Sequence, residues 1–135
     1  MTEQILLLMK DMDFTEPTSE EALTIVENQL NVNFPTQYRK FMLKSNGAEG
    51  SIGAHSYLVI WPIDEIVELN EGYGVEEFTP GLIYFGSDGG GMAYAFDSRK
   101  SHMPIVEFPF DSIHIEDANL IADTFDEFVK TIYEK

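Results

Sequence analysis

The sequence predicts an α+β fold, with N-terminal helices, a central mostly antiparallel β-sheet and a C-terminal helix packed on it. Three observations carry that expectation. Apolar residues recur with helical three-four spacing near both ends of the chain, period-two alternation occupies the middle, and a glycine-rich linker separates the two strongest strand signals. A length of 135 residues suits one domain, taken as spanning 1–135, that buries roughly two thirds of its unfolded surface.

At the N-terminus, Ile5, Leu6, Leu8 and Met9 mark a short helix from Glu3 to about Met12, which Asp13 to Pro17 breaks. Thr18 with Glu21 then reads as a capping box opening a second helix. Ala22, Ile25, Val26 and Leu30 line its packing face, and Glu20, Glu21, Glu27 and Asn28 point elsewhere. Asn33-Phe34-Pro35 stops that helix and starts a third, in which Tyr38, Phe41 and Met42 pack and Arg39, Lys40 and Lys44 gather basic charge. Asn46-Gly47 is expected to close it, with Gly in a left-handed cap.

Gly50 to Gly53 and Tyr57 to Trp61 form a strand pair joined by a turn at Ala54-His55-Ser56, and Pro62 stops the ladder. Ile63 to Asn70 reads as a two-turn helix, and Glu71 to Gly81 as a loop carrying exposed-looking Tyr73, Glu76, Glu77 and Phe78. Leu82 to Asp97 is a hairpin around the six-residue linker Gly86-Ser87-Asp88-Gly89-Gly90-Gly91, in which Met92, Tyr94 and Phe96 share one face and Ala93 and Ala95 the other. Ile105 to Phe108 is a further strand, its flanking prolines marking an edge or strand ends. The alternation of Ile113 and Ile115 permits a short strand near His114. Thr124 and Glu127 make a second capping box, before a helix burying Phe125, Phe128, Val129 and Ile132.

No catalytic signature survives inspection. Gly86 and Gly91 have Walker A spacing, but Met92-Ala93 stands where Lys-Ser/Thr is needed, and neither G-x-S-x-G nor G-x-G-x-x-G can be read. His55, His102 and His114 are scattered without metal-ligand spacing and read as surface residues, and there are no cysteines. The expectation is therefore no enzyme, no cofactor and no metal. The apolar run Ile5 to Met9 is too short to span a bilayer and follows Glu3 rather than a basic segment, so the reading is a cytoplasmic protein.

With 24 acidic and 8 basic residues the formal charge is −16. Such a field repels nucleic acid and anionic membranes and speeds encounters with basic proteins; it also simply confers solubility.

Thr18-x-x-Glu21, Ile25, Glu27, Phe34-Pro35-x-x-Tyr38-Arg39-x-Phe41 and Asn46-Gly47 together resemble the opening of the SUKH superfamily, the Smi/Knr (cell-wall assembly regulator-like) domains. Leu58 to Asn70, the Gly-rich hairpin and the closing Ala122 to Phe128 are similar to later blocks of that family, so the likeness covers about 18–132. The resemblance implies a binding module of the bacterial immunity-protein type, whose partner is a basic toxin protein such as a nuclease. The alternative is a regulatory or scaffold domain that binds a host protein. Expected contacts are Tyr73, Glu76, Glu77, Phe78, Asp88 and Tyr94. A small-ligand receptor built on the Gly-rich turn would instead require a hollow near Tyr84 and Tyr94.

Overall fold

The computed structural model describes residues 2–135, and among them seven strands form one antiparallel sheet whose spatial order is the chain order. The strands are β1 (Asp13–Phe14), β2 (Ala48–Ile52), β3 (Ser56–Ile60), β4 (Leu82–Ser87), β5 (Met92–Asp97), β6 (Ile105–Pro109) and β7 (Asn119–Ala122). Helices α1 (Thr2–Leu8), α2 (Glu20–Leu30), α3 (Thr36–Met42), α4 (Ile63–Gly72), α5 (Val75–Phe78) and α6 (Phe125–Glu134) occupy the ends and connections. The expected α+β arrangement is present, with the C-terminal helix packed against the sheet.

The pleat of β5 distributes side chains as its alternation requires. Phe96 shares a face with Phe85, which is a bulged residue, because Tyr84 pairs with Ala95 and Gly86 with Tyr94. The two phenyl rings stack 4.4 Å apart. Tyr38 from α3 and Phe125 and Phe128 from α6 close over them edge-on or tilted, and all five rings are fully buried. The Tyr38 hydroxyl finds no protein partner among the described residues, and burial raises its pKa above the ordinary phenol value.

On the other face the alanines matter by being small. Tyr84 on β4 and Phe108 on β6 reach across β5, over Ala93 and Ala95, and their rings meet 6.2 Å apart. Helices α4 and α5 cover this side. Strand β3 pairs only with the Gly86–Ser87 end of β4, where a Cβ on Gly86 would stand 2.2 Å from the Val59 carbonyl oxygen. Beyond Trp61 the chain leaves the sheet at Pro62, so Tyr84 has no strand neighbour on that side. Buried Asn70 of α4 substitutes for one. Its Oδ1 accepts from the Tyr84 N–H at 2.8 Å, and its Nδ2 donates to the Tyr84 carbonyl at 2.9 Å.

Several expectations require correction. The second helix is capped by Ser19, whose hydroxyl accepts from the Ala22 N–H, because the Thr18 N–H is committed to the Met42 carbonyl. Its buried face carries Leu23 and Val26, and Ile25 is half exposed. Glu27 turns inward, accepting from the Phe34 N–H and from Arg39, which also pairs with Glu20. Asn46 lies beyond the end of α3 and serves α4 instead, its Oδ1 accepting from the Ile63 N–H at 2.8 Å, where Pro62 offers no side-chain cap. The expected strand around His114 is a 3-10 turn at Ile115–Asp117, and the strand falls at β7. Between β5 and β7, β6 is internal, so its prolines mark strand ends. The Glu71 to Gly81 loop contains the single helical turn α5.

Candidate partner-binding site

Three short-range devices shape the α4–α5 corner. Gly74 has φ 65°, a left-handed conformation that lets the chain turn from α4 into α5, and a Cβ there would touch the Phe78 ring at 3.0 Å. Val75 is buried, and buried Thr79 closes the turn by donating its N–H to the Val75 carbonyl. The Leu82 N–H donates to the Thr79 carbonyl, fixing the turn to the start of β4. With Val75 and Thr79 directed inward, Glu76, Glu77 and Phe78 remain exposed.

Tyr73, at the C-terminal end of α4, is 44% exposed. One side of it is occupied: its ring lies 4.7 Å from that of Phe110, 6.3 Å and nearly parallel from Trp61, and 5.9 Å from Tyr84. Phe110 in turn donates its N–H to the Gly91 carbonyl. An aromatic ledge therefore runs from α4 to the Gly-rich turn. Trp61 and Phe110 are not among the expected contacts.

A hollow of about 820 Å³ lies between the turn after α2, helices α4 and α5, and the start of β4. Its apolar lining includes Leu30, Val32, Val67, Val75 and Leu82. Glu71, Glu76 and Glu77 stand among the lining residues, which include no Lys, Arg or His. A smaller hollow of about 390 Å³, lined in part by Arg99, Lys100, His102, Glu116 and Asp123, lies beside β6 and β7. There Arg99 is committed to Asp97, through Nε and Nη2 each 2.9 Å from a carboxylate oxygen. Neither hollow is lined by Tyr84, Tyr94 or the Gly-rich turn.

The expected contact residues thus separate by role. Glu76 and Glu77 border the larger hollow, and Tyr73 and Phe78 lie on the same segment of chain but outside its lining. Asp88 is engaged within its own turn, where Oδ1 accepts from the N–H groups of Gly90 at 2.8 Å and Met92 at 3.2 Å. Tyr94 is only 3% exposed, its ring edge-on to Phe128, which leaves little of it for a partner to cover. Burial raises the Tyr94 phenol above its ordinary value, and the Asp88 and Glu107 carboxylates add to the shift. All three histidines are exposed, and among the described residues no group of three or more His, Cys, Asp or Glu is placed to hold a metal ion. No helix among them is long and apolar enough to cross a membrane.

The chain is 32% identical over 115 residues, 84% of its length and 74% of the relative's, to the uncharacterized protein YnaB of Bacillus subtilis (strain 168). The pattern of one family matches residues 17–131, which hold strands β2 to β7 and helices α2 to α5 with most of α6. The chain belongs to the SMI1 / KNR4 family (SUKH-1).

Proposed function

We propose that this protein is an acidic protein-binding module of the immunity type, which neutralises a basic, nuclease-like toxin by stoichiometric binding. The observation that carries the reading is the coincidence on one segment of a hollow bordered by three glutamates with the exposed rings of Tyr73 and Phe78. Aromatic anchors beside acids are what a cationic protein surface requires, since rings supply buried area and carboxylates supply complementarity. A net charge of −16 adds a long-range attraction for a cationic partner. A nuclease must offer cations to phosphate, and an acidic domain seated there blocks the substrate without chemistry of its own. Membership of the SMI1 / KNR4 family is consistent with a binding role.

The experiment is titration of the protein into a cationic nuclease encoded beside it. Cleavage should stop at a one-to-one ratio, and the complex should weaken steeply with added salt. Undiminished cleavage at molar excess removes the reading for that pair. A complex indifferent to salt points to an apolar scaffold contact.

A further inference from the structure

We infer that the hollow between the turn after α2, helices α4 and α5, and the start of β4 receives an amphipathic basic helix of the partner. The inference deepens the proposed function and rests on its premise that the partner is basic. Leu30, Val32 and Val67, apolar lining residues that are only partly buried, would take the helix's hydrophobic stripe, and Glu71, Glu76 and Glu77 its Lys or Arg side chains. Long cationic side chains suit such a place, because their methylene stems lie on apolar surface and their charged ends reach the rim.

The chemistry of the walls narrows the occupant. An anion would face three glutamates with no compensating cation in the lining. A second copy of the chain would bring another −16. An extended segment adding to the exposed side of β4 finds the backbone already occupied: Asn70 holds both the N–H and the carbonyl of Tyr84, and the Leu82 N–H donates to Thr79. Recognition there must come from side chains, which is how a helix binds in a groove.

The test uses the full chain and a synthetic peptide of about 14 residues with Leu at helical spacing and Lys elsewhere, read by amide chemical shifts and by anisotropy of the labelled peptide. Binding should shift the amides of Leu30, Val32 and Val67 and weaken as salt rises. A Glu-for-Lys peptide should not bind, and a Ser-for-Leu peptide should bind about tenfold more weakly. Glu76→Gln with Glu77→Gln should lower affinity by about tenfold, and Val32→Arg, which places a cation in the groove, by at least as much. Glu3→Gln with Glu134→Gln removes equal charge at exposed positions outside the groove and should change little. The inference is overturned if that control pair weakens binding as much as the groove pair, or if the shifts cluster elsewhere.

The two readings fail separately. If the protein neutralises its nuclease and the groove variants neutralise it equally well, the groove assignment falls and the inhibitor stands. If no nuclease is inhibited but the Lys/Leu peptide seats in the groove, the groove assignment stands without the toxin.

Discussion

The two faces of the sheet are both aromatic, yet they are built for different ends. Over Phe85 and Phe96, helices α3 and α6 bring Tyr38, Phe125 and Phe128 into a sealed layer in which no ring is more than 1% exposed. Over Tyr84, Ala93 and Ala95, the cover is α4 and the single turn α5, and it leaves Tyr73 at 44% and Phe78 at 42% exposed. The difference lies in the supply of covering residues. Both α4 and α6 are ten residues long, but α6 buries Phe125, Phe128, Val129 and Ile132, whereas α4 buries Ile63, Ile66 and the polar Asn70 before the chain turns at Gly74 and presents acids outward. The first face is sealed, and the second leaves aromatic rings open to solvent.

The largest test of that division is Phe96→Ala, which should cost about 3–5 kcal/mol in denaturant unfolding, because it opens a cavity among rings that cannot collapse into it. Asn70→Leu should follow, at about 2–4 kcal/mol, since it strands both backbone groups of Tyr84 in a buried place. If it proved neutral, the covering of the second face would not depend on that pairing.

Asp97→Asn should cost about 1 kcal/mol at neutral pH, modest because Arg99 is half exposed. Hydrogen bonds from the Arg99 guanidinium hold the Asp97 carboxyl below its ordinary value, so the contribution is present above about pH 4 and disappears as pH falls through the lowered pKa. Wild type and variant should therefore converge in acid. Asp126 has the opposite sign: burial raises its pKa, so its ionisation opposes folding at neutral pH and that opposition is relieved in acid. Smallest of all, Tyr73→Ala should shift stability by less than about 1 kcal/mol, given its exposure, while weakening any aromatic-anchored complex. A Tyr73 variant as unstable as Phe96→Ala would erase the distinction between the faces.

Legibility in the sequence followed the same division. The helix at Phe125–Glu134 and the hairpin of β4 and β5 were readable, because capping residue, periodicity and turn chemistry all agree there. Thr124 caps as expected, its hydroxyl accepting from the Glu127 N–H. The second helix was readable as an element, but its face was not: Leu23 rather than Ile25 goes inside, and Glu27 is drawn in by Arg39 and the Phe34 N–H, twelve and seven residues away. Tertiary partners decide such matters, and local pattern does not contain them. For the same reason Asn46 and Asn70, ordinary polar residues to any periodicity rule, serve as the cap of α4 and the surrogate strand of β4. Within the candidate site, the acids and Tyr73 could be picked out as exposed loop residues, but the hollow that the acids border exists only once the turn after α2 is folded against α4.

The coincidence of spatial and chain order across all seven strands bears on how the molecule assembles. Each ladder can zip onto the one formed just before it, and no segment has to thread between finished neighbours. From Leu82 to Pro109 the strands β4, β5 and β6 are joined by short connections, so this stretch is a natural nucleus with cheap loop closure. Extra residues spliced in at Gly89–Gly91 would break the Asp88 bonds to Gly90 and Met92 and the Gly91 carbonyl's bond from Phe110, on top of about 0.6 kcal/mol of closure entropy for each doubling of that loop.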